Sequence, residues 1–160
     1  MTAFHLNPRA RTTARDPFRA EDYEDLAAFY RRQPDLGPTP LHRLPAFARA
    51  LGSWRRVRHA IEFRHESWFD DAVAACLRRH KIANCQSDAA DWPLWDAVTT
   101  DLVYVRLHGH AQTYASRYSD AELEGWARTA RRWLAEGRDV HVYFDNDAFG
   151  HAPLDALRLR

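Results

Sequence analysis

The sequence is poor in lysine. Of its 23 basic residues, only Lys81 is lysine, and arginine carries the rest of the positive charge. Alanine is also abundant, and the two biases together point to GC-rich coding rather than to a function. Cysteine is nearly as scarce. Cys76 and Cys85 are the only two, which excludes a disulfide framework and gives no metal-ligand spacing. A reduced, cytoplasmic protein is therefore expected. An excess of one charge is missing too: 23 basic residues face 22 acidic ones. Such a balance gives no global pull toward nucleic acid or an anionic membrane. No apolar run approaches the roughly 20 residues that a membrane span needs, and the N-terminus lacks the apolar region of a signal peptide.

What is present is one domain's worth of chain. At 160 residues, with 46% hydrophobic and 28% charged, the chain can bury a core of ordinary globular composition. Residues 1–16, arginine-bearing with few apolar side chains, are expected to be a disordered tail. Residues 17–56 predict two helices, Ala20 to Arg32 and a second from Thr39-Pro40 to Gly52, with Pro45 weakening the second. From residue 57 onward the pattern is clearer. Strands are predicted at Ala60 to His65, Ile82 to Asp88, Leu102 to His108 and Val140 to Asp145. Helices are predicted at Asp70 to His80, after the capping box Ser119 to Glu122, and from Pro153. The second of these has the apolar stripe Leu123, Trp126, Ala127, Ala130, Trp133 and Leu134, and Gly137 stops it. Strand alternating with helix signals parallel β-α units.

Side-chain parity sharpens the fold. Successive residues of a strand face opposite sides, so Val103, Val105 and Leu107 oppose Tyr104, Arg106 and His108. In the same way Val140, Val142 and Phe144 oppose His141, Tyr143 and Asp145, and Ile61 and Phe63 oppose Glu62 and Arg64. In the second strand Ala83 and Cys85 oppose Asn84, Gln86 and Asp88, which are grouped with the other polar residues. Parallel sheets are normally covered on both sides. If helices cover the apolar face, the polar one lines something enclosed, and a barrel interior with a site at its C-terminal mouth fits best. An open α/β sheet is the alternative.

Five segments carry a family resemblance: "AIEFRHESWF" at 60–69, "SD" at 87–88, "VYVRLHG" at 103–109, "YSDAELEGWA" at 118–127 and "VYFDNDAFGHAP" at 142–153. Over residues 57–160 the chain resembles the YecE-like family, domain of unknown function 72. The resemblance implies a prokaryotic, TIM-type (β/α)₈ barrel and supplies no reaction. Such a barrel takes about 250 residues, whereas four strands are legible here. The reading is the C-terminal half of the barrel, about four parallel β-α units, from a truncated or frame-disrupted gene. Residues 17–56 would be a poorly matching remnant. Two open sheet edges would then favour self-association.

The candidate site follows from the polar strand faces. Glu62 and Arg64, two apart, form either an internal ion pair or a proton-transfer group beside an anion clamp. Arg106 and His108 repeat the arrangement, and histidine titrates near neutral pH. Glu62, His108 and Asp145 are the catalytic candidates. Arg64, Asp88, Arg106, Tyr143 and Trp68 are candidates for ligand binding, with Trp68 walling a pocket. Trp92 is a candidate lid or stacking surface, and Tyr114 lies in a loop on the side where barrel sites sit. Asp145-Asn146-Asp147 with Gly150 imitates the start of a calcium loop but lacks its terminal glutamate, since Ala156 stands there. No cofactor is expected; a divalent metal would need Glu62, Asp88, His108 and Asp145 to converge. The expected partner is a small polar or anionic ligand, acted on by acid–base hydrolysis. The rivals are non-catalytic binding of nucleic acid or a sugar phosphate, and a nonfunctional fragment.

Overall fold

The structure is a computed structural model that describes residues 44–54 and 56–159. The expected tail at 1–16, the helix at Ala20 to Arg32 and the start at Thr39-Pro40 lie outside the described residues. The elements run α1 (Leu44–Leu51), β1 (His59–Glu62), a 3-10 turn (Glu66–Trp68), α2 (Asp71–His80), β2 (Ile82–Asp88), β3 (Leu102–Leu107), α3 (Asp120–Ala135), β4 (Asp139–Phe144) and α4 (His151–Arg158). The four strands form one sheet in the order β1-β2-β3-β4, and every neighbouring pair is parallel. Among the described residues no helix is long and apolar enough to cross a membrane.

Local chemistry places the helices. Asp70 caps α2 by accepting from the Ala72 N–H at 2.7 Å, and Lys81 ends it in the left-handed conformation at φ 55. Val73, Ala74 and Leu77, at helical spacing, face the core. Helix α3 opens with the reciprocal capping box between Ser119 and Glu122. Its Leu123, Ala127 and Trp133 are buried, while Leu134, expected in the stripe, is exposed.

Two apolar clusters hold these elements to one side of the sheet. Leu44, Ala48, Leu51, Val73, Leu77 and Ile82 pack with Phe63, and Trp68 and Trp95 lie against them. Val103, Val105, Leu107, Tyr118, Leu123 and Trp133 form the second. Burial of such side chains contributes about 1.5–3 kcal/mol each before conformational entropy is set against it.

Two expectations change here. Strand and helix do not alternate throughout, because residues 89–101 connect β2 to β3 without a helix. The parity of β2 is also reversed. Cys85 pairs with Glu62 on one side and Tyr104 on the other, so Cys85, not Asn84 or Gln86, shares the polar face. Asn84 and Gln86 lie on the outer side and are buried. Their amides donate to the carbonyls of Trp95, Asp96 and Ala97 at 2.9, 3.2 and 3.1 Å. An irregular connection brings unpaired carbonyls against the sheet where a helix would bring none, and polar side chains satisfy them.

Candidate functional site

The register places Ala60 and Glu62 of β1, Cys85 and Ser87 of β2, Tyr104 and Arg106 of β3, and His141 and Tyr143 of β4 on one face. This inner face carries no covering layer among the described residues. It borders a groove of about 760 Å³ whose lining includes Glu62, Tyr104, Arg106, Tyr143 and Asp145.

At the C-terminal ends of the strands the charged groups converge. Arg106 bridges two carboxylates, reaching Glu62 Oε2 at 2.5 Å and Asp145 Oδ2 at 2.7 Å. The Arg64 Nε donates to Glu62 Oε1 at 2.7 Å, although β1 ends at Glu62 and Arg64 lies beyond it. The Arg64 guanidinium stacks over Trp92, 4.3 Å from the ring centre, and donates to the Tyr114 hydroxyl at 3.3 Å. The Trp92 ring is held by its Nε1, which donates to Ser87 Oγ at 2.9 Å.

His108 sits beneath this layer with 0% exposure. Trp92 and Tyr114 each meet its ring edge to face at 5.3 Å. The Nε2 lies 3.5 Å from Glu62 Oε1 and the Nδ1 lies 3.5 Å from Asp145 Oδ2. That separation is at the limit of hydrogen bonding, and neither nitrogen completes a hydrogen bond of good geometry among the described residues. Buried polar atoms are almost always satisfied, and for this imidazole the nearest partners are the two carboxylates, one on each nitrogen.

The two carboxylates differ. Burial opposes ionisation of Glu62, but His108, Arg106 and Arg64 around its oxygens outweigh it and hold its pKa at about 2. Glu62 is thus a fixed anion at neutral pH, and the internal ion pair foreseen for it with Arg64 is present. Asp145 meets a single guanidinium and opens to the groove with a side chain 16% exposed. Burial pushes the Cys85 thiol up to about 12 and the Tyr104 phenol likewise, which leaves neither ionised near neutrality.

Two assigned residues stand elsewhere. The Trp68 ring stacks on Phe63 at 5.2 Å in the first core cluster, so it walls no part of the groove. Asp88, paired with Leu107, is on the outer side. Its carboxylate accepts from the Tyr118 hydroxyl at 2.7 Å and lies 3.0 Å from His110 Nδ1. Asp88 therefore does not join Glu62, His108 and Asp145, and among the described residues no group of three His, Cys, Asp or Glu side chains is arranged to hold a metal ion. The contributions of Trp92 and Tyr114 were only half legible. Both sit on irregular segments whose path no periodicity reveals, and Tyr114 adopts a left-handed conformation at φ 64.

No curated protein matches the chain. Among solved structures, a DUF72 family protein from Thermotoga maritima aligns at 26% identity and a TM-score of 0.64, covering 72% of this chain and 49% of that one. Two structures of a DUF72 family protein from Enterococcus faecalis share the fold at 21% and 20% identity, with TM-scores of 0.63 and 0.64. They cover 72% and 78% of this chain and 50% and 55% of theirs. The chain thus spans about half the length of these relatives. The family profile described as "Protein of unknown function DUF72" matches residues 18–160, beginning well before residue 57, where the motif resemblance starts. The chain belongs to the DUF72 family of proteins of unknown function.

Proposed function

We propose that the inner face binds a small polar ligand and that Asp145 and His108 move a proton during its hydrolysis. The full burial of His108 between Glu62 and Asp145, with each ring nitrogen 3.5 Å from a carboxylate oxygen, carries this reading. His108 has no exposure of its own, so Asp145 is the group that meets the ligand. Asp145 takes a proton from an attacking water and returns one to the leaving group, while His108 behind it compensates the change in charge. Glu62, kept ionised by its three neighbours, orients Arg106 and His108. Tyr143 lines the groove beside Asp145. Arg106 already bridges two carboxylates; Arg64 pairs with Glu62 but keeps a side chain 48% exposed, and Arg56 lines the groove, so these two are assigned to a negative group of the ligand.

The groove is read as part of a closed (β/α) barrel, with the four strands as one half. Three observations support this: the uncovered polar face of a parallel sheet, the half-length coverage of the solved relatives, and an ion pair across the groove. In that pair Arg58, just before β1, reaches Asp139, the first residue of β4, at 2.5 Å. An arginine spans opposite edges of a four-stranded sheet only if the sheet curves. Closure would need strands from outside the described residues or from a second copy of the chain.

A panel of aryl glycosides, phosphate esters and free sugar phosphates offered to the full chain tests the reading. Turnover is expected to fall about 10²- to 10⁴-fold in Asp145→Asn and His108→Gln. Turnover unchanged in both would remove the assignment. Binding without turnover that weakens steeply with salt would favour a non-catalytic binder of nucleic acid or sugar phosphate.

A further inference from the structure

A buried hydrogen-bonded brace behind the sheet joins the turn that follows β3 to the turn that follows β4. Tyr118, 1% exposed, is its centre. Its hydroxyl donates to Asp88 Oδ2 at 2.7 Å and accepts from the Gly109 N–H at 2.9 Å. Its own N–H donates to Asp155 Oδ2 at 3.0 Å. The same oxygen accepts from Asn146 Nδ2 at 2.9 Å, and Asn146 and Asp155 are both fully buried. Arg158 completes the set, donating to Asp155 Oδ1 at 2.6 Å and to the Tyr118 carbonyl at 2.9 Å.

The brace ends on the neighbours of the two reactive candidates. Gly109 follows His108, and Asn146 follows Asp145. The β3 end is pinned further because the His108 N–H donates to the Asp88 carbonyl at 2.9 Å. Gly109 has φ +107, and a Cβ there would stand 2.5 Å from the Gln112 carbonyl oxygen. The backbone beside His108 is thus held in a conformation that only glycine enters freely, with the Tyr118 hydroxyl on its N–H. Ring packing alone does not explain tyrosine at this position, since phenylalanine would fill the same space against Phe144.

We propose that Tyr118 is a positioning residue that, through Asp88 on one side and Asp155 with Asn146 on the other, sets the His108 ring against Asp145. The proposal rests on the assignment of His108 and Asp145 above, but its readout is independent of turnover. Imidazole nitrogen chemical shifts report the tautomer and hydrogen bonding of the ring. In Tyr118→Phe the His108 ring signals are expected to shift clearly from those of the wild type. Val73→Ala, a truncation on α2 in the other core cluster from Tyr118, is expected to lower the melting temperature and leave those signals in place. Asp88→Asn keeps an acceptor but loses the charge, so it provides a milder second variant should Tyr118→Phe fail to fold, with a smaller shift in the same direction. His108 signals that superimpose on the wild type in the folded brace variants would overturn the proposal, as would equal movement in Val73→Ala. Loss of the hydrolytic reading, through unaffected turnover in His108→Gln, would leave the ring shifts and the brace untouched.

Discussion

Three side chains converge on Glu62: His108 at 3.5 Å, Arg106 at 2.5 Å and Arg64 at 2.7 Å. They hold its pKa at about 2 against an ordinary value of 4.5. A carboxyl lowered on folding adds stability above its unfolded pKa and loses it as the pH falls toward the folded one. The wild type should therefore weaken progressively between pH 4.5 and about pH 2 through this group. Glu62→Gln should flatten that part of the profile and lower stability at pH 7 by about 2 kcal/mol, because Arg106 and Arg64 lose a charged acceptor. Urea melts across the pH range check both effects, and an unchanged slope in the variant would contradict the assignment. The Glu62–Arg64 pair was legible because residues two apart can meet at the end of a strand. The role of Asp88 was not. Its face depends on the register of β2 against its neighbours, and alternation within one strand does not define which face is inner.

At the level of elements, capping chemistry was the most readable signal. Ser119 and Glu122 form the box that their spacing predicts, and the strand at Ile82 to Asp88 has the expected bounds. Local sequence suffices where the partners lie within a few residues. The end of α2 is less comfortable, since Lys81 adopts the left-handed conformation at φ 55, which costs a side-chain-bearing residue roughly 1–2 kcal/mol. Lys81→Gly should relieve most of this cost and return part as unfolded-state entropy, for a net gain of about 0.5 kcal/mol. Thermal denaturation checks it; a destabilised variant would show that the Lys81 side chain contributes more than its conformation costs. At residues 89–101 the loop reading of Trp92 holds, while the β-α alternation expected along the chain is broken. Instead Asn84 and Gln86 bond the connection's carbonyls, a long-range pairing that local propensity does not register.

Among the described residues, large apolar side chains stand exposed around the last helix. Helix α4 buries Ala152 and Asp155 while Leu154 and Leu157 are 53% and 68% exposed, and Phe149 beside it is 73% exposed. These apolar side chains flank β4, an edge strand in the four-stranded sheet. Unpaired edges with apolar neighbours invite association. The full chain is expected to run as an oligomer in sedimentation equilibrium, with Leu154→Glu and Leu157→Glu together shifting it toward monomer. A monodisperse wild-type monomer that melts cooperatively would overturn this. By itself, the sequence determined four strands with helices between most of them, the capping box of α3 and the polar inner faces of β1, β3 and β4, because each depends on periodicity or on contacts between near neighbours. Only the tertiary structure decided that Asp88 turns away from the groove, that Trp92 and Tyr114 close over His108, and that Glu62 is held as an anion. Those outcomes depend on strand register and loop paths, which bring together residues tens of positions apart.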